Sequence, residues 1–239
     1  YNGLAGMFSF PGGGTCTGTL AAAGTCTLVV RYLPTANALH SDTVEVDYDD
    51  GTGMVQATSD VDGTAVDPAI ITFDVDPHNY GTVARGSTND FTFTLTNGGG
   101  VSATGILYNG LAGNYSYPGG GTCAGSLAPA GTCTLIVRYL PSANGFTSDT
   151  IEVDYNDGAA AVQSTADVDG TAVDPASITF DVDPQNFGSV ARNSTNDFTF
   201  TLTNGGGVSA TSILYNGLAG MYSFPGGGLS LIHISEPTR

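Results

Sequence analysis

The fold is indicated most directly by the segment Phe91-Thr92-Phe93-Thr94-Leu95-Thr96-Asn97-Gly98-Gly99-Gly100. Over its first six residues, large apolar side chains alternate with threonines, so that one face is apolar and the other is polar. This alternation is typical of a β-strand with one buried face. The glycine triplet that follows predicts a hairpin or loop turn, and the same holds for Gly119–Gly121. Neither triplet is followed by the Lys-Ser/Thr pair of a phosphate-binding loop.

The same period-two alternation continues through neighbouring parts of the chain, with turn residues between the runs. Further strands are predicted at residues 70–75, 82–84, 104–108, 115–117, 133–139, 150–155 and 162–168. Seven or eight short strands in roughly 100 residues, each with one apolar face, are typical of a two-sheet antiparallel sandwich. The sequence therefore predicts an all-β, immunoglobulin-like (Ig-like) domain.

The chain repeats itself without a gap. The hexapeptide Tyr-Asn-Gly-Leu-Ala-Gly begins at Tyr1, at Tyr108 and again at Tyr215, which sets a period of 107 residues. A period of this length corresponds to one whole small domain rather than to one turn of a solenoid. We therefore expect tandem Ig-like antiparallel β-sandwich domains.

The repeat also divides the chain. A unit that begins at the Asp-Pro pairs makes 1–67 the later part of one repeat, 68–174 a complete repeat, and 175–228 the first half of a third. Few linker residues remain between units, and one is a proline, so we expect an extended, semi-rigid rod. The register ends at Gly228, and residues 229–239 resemble a translated sequencing adapter, so we expect a non-native tail. The chain is accordingly expected to be an environmental DNA fragment whose true N-terminus is missing.

The charge balance argues against two classes of partner. The chain has 22 acidic residues, 5 basic residues and a net charge of −17, and it contains no lysine. Nucleic-acid binding requires a basic surface and is not expected. No stretch reaches the ~20 apolar residues of a membrane span, so membrane insertion within this chain is not expected either.

The four cysteines form two copies of one pair, Cys16 with Cys26 and Cys123 with Cys133. Without histidines or further cysteines nearby, such a pair makes a poor zinc site. A local disulfide within each repeat is the favoured interpretation, and it implies an oxidising compartment. The alternative is a pair of reduced, half-buried thiols in a cytosolic protein.

Several segments together resemble a known family. Phe73-Asp74, Tyr80-Gly81-Thr82-Val83 and Phe91–Asn97 occur in the order that opens the choice-of-anchor D repeats, which belong with the abnormal-spindle/hydin (ASH) group of Ig-like domains. The Cys-loop-Cys-strand-Pro pattern of Cys123–Pro141 and the closing Asp169-Gly170-Thr171-Ala172 are similar to the same family. The resemblance implies a seven-stranded sandwich in a large secreted or surface-attached bacterial protein. It supplies no catalytic residues.

No catalytic site and no cofactor are predicted. His40 and His78 occupy positions held by Thr147 and Gln185 in the next repeat, so no histidine is shared between copies. A repeated Ser-His-Asp or Cys-His site is therefore absent from the sequence. We expect a non-enzymatic protein.

Calcium is the alternative interpretation of the acidic residues, because this ion prefers several carboxylates close together. The repeated candidates are Asp60, Asp62, Asp67, Asp74 and Asp76, with Asp47, Asp49 and Asp50 near a turn, and their counterparts one period later. None matches an EF-hand loop, and outward-facing aspartates on a solvated surface, with Asp-Pro turn starts, are the preferred interpretation. No metal ligand is assigned.

Two functions are compatible with this sequence. The favoured one is a structural or adhesive module that extends a functional tip from a cell surface, with neighbouring repeats of the same chain as its contacts. The alternative is a module that binds a glycan or a protein through loops such as 97–103 or 118–132. Tyr115 and Tyr117 would favour binding if they were exposed, although core packing is the simpler expectation for both.

Overall fold

The alternating segments form β-strands in the computed structural model, which describes residues 1–225. The described residues contain fifteen strands and no helix. The strands of the complete repeat are β5 (Ile71–Phe73), β6 (His78–Ala84), β7 (Asn89–Asn97), β8 (Ala103–Asn109), β9 (Tyr115–Ser116), β10 (Gly125–Leu127), β11 (Thr132–Tyr139), β12 (Gly145–Asn156) and β13 (Ala161–Val173). Before them lie β1 (Phe8–Ser9), β2 (Arg31–Tyr32), β3 (Leu39–Asp49) and β4 (Met54–Thr64), and after them β14 (Ile178–Phe180) and β15 (Leu202–Asn204).

Strands β5–β13 build a two-sheet sandwich. One sheet has the order β5-β7-β11-β9 and the other has the order β10-β8-β12-β13-β6. All neighbours are antiparallel except β6 and β13, which are parallel. The predicted all-β class and the antiparallel sheets are thus confirmed, with one parallel pair that the sequence did not indicate. The tandem arrangement of such domains and the boundaries at 67, 174 and 228 stay predictions.

The core lies between the two sheets and is built by the predicted apolar faces. Phe93 and Leu95 of β7, the alternate residues from Cys133 to Tyr139 of β11, and Ile151, Val153 and Tyr155 of β12 are buried. The register explains why these faces meet, since β7 and β11 pair with Phe93 opposite Leu135 and Leu95 opposite Cys133. All members of this core cluster lie between Ala69 and Val168.

Three details differ from the strand prediction. Nine strand segments, β5–β13, replace the expected seven or eight, because β10 was not predicted. Strand β6 begins at His78, four residues before the predicted start. Gly98–Gly100 do not form a hairpin turn, because β7 and β8 lie in different sheets.

The flanking segments contain fewer paired strands. Strand β3 pairs with β4, β1 pairs with β2, and β14 pairs with β15. No helix among residues 1–225 is long and apolar enough to cross a membrane. The predicted non-native tail, residues 229–239, lies outside the described residues.

Candidate functional site at the junctions between repeats

The residues that join one repeat to the next contact the glycine loop that follows β7. We call the segment Val66–Ala69 together with Asn97–Gly100 the first junction clamp. The amide of Gly100 donates to the carbonyl of Asp67 at 2.9 Å, and the amide of Gly98 donates to the carbonyl of Ile70 at 2.8 Å. The linker is therefore hydrogen-bonded to the repeat that it enters.

The glycines of this loop are required by close backbone contact. A Cβ atom added to Gly99 would lie 2.0 Å from the carbonyl oxygen of Pro68, and one added to Gly100 would lie 2.6 Å from the Cβ of Val66. Neither glycine has a positive φ angle, so turn geometry does not demand glycine here. Any larger residue at these positions would push the linker away from the loop.

Asn97 connects the loop to the sandwich and is fully buried. Its Oδ1 accepts hydrogen bonds from the amides of Ile70 and Gly99, at 3.2 and 3.0 Å. Its Nδ2 donates to the carbonyls of Val101 and Leu127, at 2.8 and 2.9 Å. Both donors and two acceptor positions of the amide are thus occupied, as burial of a polar side chain requires.

The same arrangement recurs one period later, in the second junction clamp, Val173–Ala176 with Asn204–Gly207. The amide of Gly207 donates to the carbonyl of Asp174 at 2.9 Å. A Cβ atom on Gly206 would lie 2.1 Å from the carbonyl oxygen of Pro175. The Nδ2 of Asn204 donates to the carbonyl of Val208 at 2.8 Å. Two junctions in one chain therefore have the same backbone geometry.

Each linker is also contacted by the repeat that precedes it. The amide nitrogen Nδ2 of Asn37 donates to Oδ1 of Asp67 at 2.6 Å. At the second junction, Arg85 forms a 3.1 Å ion pair with Asp174, and its backbone amide donates to the carbonyl of Val173 at 2.8 Å. The ion pair is about half exposed, so it adds at most about 1 kcal/mol. Most of the junction geometry thus depends on backbone contacts.

The cysteines lie inside repeats rather than at the junctions. Cys16 is bonded to Cys26 and Cys123 to Cys133, with Cα atoms 4.8 and 4.9 Å apart. Cys133 lies on the buried face of β11, and Cys123 is buried in the loop before β10. The Cys123–Cys133 bond therefore fastens this loop to a central strand of its sheet.

The calcium candidates are dispersed. Residues 1–225 contain no group of three or more His, Cys, Asp or Glu side chains that could hold a metal ion. Asp60 and Asp167 each accept a hydrogen bond from a threonine hydroxyl, of Thr43 and Thr150 respectively.

Several of the remaining candidates are also engaged locally. Asp74 accepts from the amide of Thr94, and Asp76 accepts from the amide of Asp167. The hydroxyl and then the amide of Thr52 donate to Asp50, and the amides of Ala160 and Ala159 donate to Asp157; these hydrogen bonds lower the pKa of both carboxyls. Within the described chain, one buried side-chain oxygen, Oδ1 of Asp169, has no hydrogen-bond partner.

The two described histidines have structural surroundings. Nδ1 of His40 lies 2.8 Å from the hydroxyl of Tyr32. In the complete repeat, the hydroxyl of Thr147 takes the place of this imidazole and donates to Tyr139 at 3.3 Å. His78 stacks on Phe91 with ring centroids 3.6 Å apart, and burial lowers its pKa despite the opposing effect of Asp169 and Asp74.

The tyrosines of the candidate binding loops are largely covered. Tyr115 is buried, and its hydroxyl donates to the carbonyl of Thr147 at 2.8 Å. Tyr117 packs against the core and donates to the carbonyl of Asn109. Burial raises the pKa of both phenols. The expectation of core packing is confirmed for Tyr115, and Tyr117 is half-buried.

No family model matches this chain, and no curated protein matches it. Among solved structures, the ASH/PapD-like domain 7 of human CEP192 is similar at 14% identity over 44% of this chain and 86% of that domain, with a TM-score of 0.36. A protein of unknown function from Porphyromonas gingivalis W83 is similar at 12% identity over 70% of this chain and 81% of its own, with a TM-score of 0.37.

Domains 1–6 of the surface layer protein SbsC are similar at 17% identity over 68% of this chain and 20% of that one, with a TM-score of 0.34. At these identities and TM-scores, the likenesses assign neither a family nor a function to the chain.

The junction clamp was not predicted from the sequence, in which Asn97 and Gly98–Gly100 indicate only a turn. A signal was nevertheless present, because Asn-Gly-Gly-Gly recurs one period later as Asn204–Gly207 and Val-Asp-Pro-Ala recurs as Val173–Ala176. The sequence does not show that these two repeated motifs contact each other, because Ala69 and Asn97 lie 28 positions apart along the chain.

Proposed function

We propose that this chain is part of a tandem array of Ig-like modules, related to the choice-of-anchor D repeats, in a large exported or cell-surface protein. The modules act as a non-catalytic structural or adhesive spacer. The observation that supports this most strongly is the repeated junction clamp, in which both linkers have the same hydrogen bonds and the same close glycine contacts.

A spacer needs junctions that resist bending. A linker that is held only by its own backbone bends freely, whereas one that is hydrogen-bonded to both neighbouring modules does not. Asp67 meets this condition, since its side chain accepts from Asn37 and its carbonyl accepts from Gly100. The proline in each linker further restricts the backbone.

The disulfides and the surface charge are compatible with an exported module. One local disulfide in each of two repeats suits an oxidising compartment. A net charge of −17 favours solubility and keeps neighbouring arrays apart through repulsion. Neither feature requires a small-molecule ligand.

The alternative of a glycan- or protein-binding module has less support. Part of the candidate loop 97–103 is occupied by the linker, and Tyr115 of the neighbouring strand is buried. Stiffening by calcium is also less supported, because the repeated aspartates within residues 1–225 form no group of three or more that could hold a metal ion.

The spacer function is tested by small-angle X-ray scattering of arrays with two, three and four copies of residues 68–174. A semi-rigid rod predicts a maximum dimension that grows in proportion to the number of copies. Gly99→Ala in every copy should shorten the average dimension and broaden its distribution, because the added Cβ would overlap the carbonyl oxygen of Pro68.

Gly98→Ala is the matched control. The nearest atom to a Cβ at this position is the carbonyl oxygen of Ile70, at 3.9 Å, so this array should keep the dimensions of the unmodified one. Dimensions that grow only with the square root of the copy number in the unmodified array would contradict the spacer proposal.

A further inference from the structure

The complete repeat is entered and left at opposite ends. The amide of Ala69 donates to the carbonyl of Asp157 at 2.9 Å, which places the entry beside the turn between β12 and β13. The exit follows Val173, at the far end of β13. This strand has 13 residues, so about 40 Å separates the two ends along it. Tension on an array therefore pulls the complete repeat lengthwise.

The chain that enters the repeat, residues 69–85, is called here the entry segment, and its last strand lies beside the strand that leaves. Strands β6 and β13 are parallel, and their pairing begins with His78 opposite Val168. It ends with Ala84 opposite Val173, beside the exit. Tension pulls β6 at its N-terminal end and β13 at its C-terminal end, so the two strands can separate only by sliding past each other.

The direction of pulling decides how the hydrogen bonds between β6 and β13 are loaded. Hydrogen bonds of a β-ladder run across the strands, evenly spaced in a parallel pair. A force along the strands therefore loads all of these bonds together, whereas a force across the strands breaks them one after another. Lengthwise tension meets the first case, so this pair lies in the geometry that resists stretching.

The entry segment is fastened to the second sheet as well. Its first strand, β5, is antiparallel to β7, with Ile71 opposite Asn97. Strand β7 is paired in turn with β11, in the middle of the same sheet. Tension reaches β5 at its N-terminal end and pulls it along β7. The segment that carries the load is thus anchored in both sheets, through β5 in one and β6 in the other.

Side chains add further bonds between the entry segment and the strands that leave the repeat. The hydroxyl of Tyr155 accepts from the amide of Ile71 at 3.1 Å. The hydroxyl of Ser164 donates to the carbonyl of Ile71 at 2.6 Å. Asp76 accepts from the amide of Asp167 through Oδ1 at 2.9 Å. These bonds join the start of the entry segment to β12 and β13.

Tyr80 holds β6 against movement along its own axis. Its side chain is buried, and its hydroxyl donates to the carbonyl of Val137 in the opposite sheet at 2.8 Å. Because this bond crosses the core, β6 cannot slide without breaking it. Next to the exit, the amide of Arg85 donates to the carbonyl of Val173 at 2.8 Å. Strand β6 is therefore held both in its middle and at its end.

We propose that the complete repeat bears mechanical load, and that the parallel pair β6 and β13 is the element that resists stretching. This rests on the proposed spacer function, because tension reaches a module only when it lies between an attached end and a pulled tip. It also goes beyond spacing, since a stiff rod can hold a distance at rest and still unfold under slight tension.

The test is single-molecule force spectroscopy of the full chain, stretched in two directions. Forced unfolding is governed by the unfolding rate, which depends on the bonds that the force loads. Pulled from its two ends, the chain should show one step of high force for the complete repeat. Pulled between Ser87, an exposed residue after β6, and its C-terminal end, it should unfold at a several-fold lower force, because β6 is then peeled from β13. Equal forces in the two directions would overturn the proposal.

The disulfide identifies the step that belongs to the complete repeat. Cys123 and Cys133 lie 10 positions apart, and their bond keeps the chain between them from extending. In a chain that carries Cys16→Ala and Cys26→Ala, this is the one remaining disulfide. Reduction should then lengthen the step of the complete repeat by about 30 Å and leave the other steps unchanged.

Two tyrosine variants locate the resisting element. Tyr80→Phe and Tyr115→Phe each remove a phenol hydroxyl that donates to a backbone carbonyl at 2.8 Å. Other repeats already have phenylalanine at these positions, Phe187 and Phe8, so both variants should fold. Both should lower the free energy of unfolding in denaturant. Only Tyr80→Phe should lower the force between the chain ends, because Tyr115 lies in β9, outside the entry segment.

The possible results separate this proposal from the spacer function. A force that falls equally in both tyrosine variants, or that Tyr80→Phe leaves unchanged, would overturn the assignment of resistance to β6. An array that scatters as a rod at rest but unfolds at the same low force in both directions would overturn the load-bearing role and leave the spacer function in place.

Discussion

At the scale of single residues, Asn97 decides how the junction and the sandwich are joined. One buried amide side chain accepts from the backbone amides of Ile70 and Gly99 and donates to the carbonyls of Val101 and Leu127. No other residue type of this size offers two donors and an acceptor in the same plane. The hydrogen bonding of four backbone groups around it therefore depends on this one side chain.

Asn97→Ala should destabilise the complete repeat by on the order of 2–4 kcal/mol, because it leaves several buried backbone groups without partners. The measurement is chemical denaturation followed by near-ultraviolet circular dichroism of the tyrosines. Asn204→Ala is the control, since Asn204 makes similar bonds but is exposed, so water can replace its amide. Equal losses for both variants would show that burial of Asn97 does not matter.

His78 makes the stability of the repeat depend on pH. Burial against Phe91 lowers its pKa in the folded state, although Asp169 and Asp74 oppose this shift. The unfolded chain therefore binds a proton on this imidazole more readily than the folded chain does. The stabilisation contributed by the neutral imidazole is fully present above the unfolded pKa of about 6.5, and it is lost as the pH falls below that value.

His78→Gln, which installs the residue found at the corresponding position Gln185, should remove this dependence. The test compares the free energy of unfolding of both proteins at several pH values from neutral to mildly acidic. On acidification, the free energy of unfolding of the protein with His78 should fall relative to that of the His78→Gln variant. A constant difference would contradict the assignment.

At the scale of strands, the alternation of apolar and polar residues was sufficient to predict most of the sandwich. Strands β7, β11 and β12 present the predicted residues to the core because each has a long run of strict alternation. Strand β10 was missed because Gly125–Leu127 is too short to show a period. The placement of β5 and β6 in different sheets was not predicted, since alternation reports a buried face and not the sheet to which a strand belongs.

The same limit explains the junctions. The sequence predicts that Gly98–Gly100 lie in a loop, and it shows that they recur. It does not show that the loop touches the preceding linker, because that contact depends on how two segments approach in space. The disulfides were easier to predict, since the cysteines of each pair lie only 10 residues apart along the chain.

The Cys123–Cys133 bond should contribute about 2–3 kcal/mol to stability, because it closes a short loop in the unfolded chain. Replacement of both cysteines by alanine, or reduction of the bond, should lower the transition temperature of the complete repeat. Mass spectrometry without reductant checks the bond itself, and two free thiols would contradict the proposed export. Replacement of Cys16 and Cys26 is the control, since it should leave the transition of the complete repeat unchanged.

At the scale of the whole molecule, charge dominates the surface. With 22 acidic and 5 basic side chains, most charged neighbours repel each other, and the two described ion pairs, Arg85–Asp174 and Arg138–Asp90, offset little of this. Such repulsion extends over about 30 Å at 0.01 M salt and about 10 Å at 0.1 M salt. Repulsion among the acidic side chains therefore destabilises the folded chain, and added salt weakens this repulsion.

A comparison of two salts can distinguish general screening by ions from binding at a specific calcium site. Sodium chloride should raise the transition temperature from low to moderate concentration, because screening weakens repulsion among the aspartates. Calcium chloride at the same ionic strength should stabilise only slightly more than sodium chloride does, since the repeated aspartates within residues 1–225 are not gathered into a group that could hold a metal. Differential scanning calorimetry in both salts, with excess chelator as the control, makes the comparison. The contradicting result is a saturable rise in the transition temperature at micromolar calcium that excess chelator reverses. It would show that carboxylates of neighbouring repeats bind one ion. Junctions stiffened by calcium would then be favoured over junctions held by backbone contacts alone.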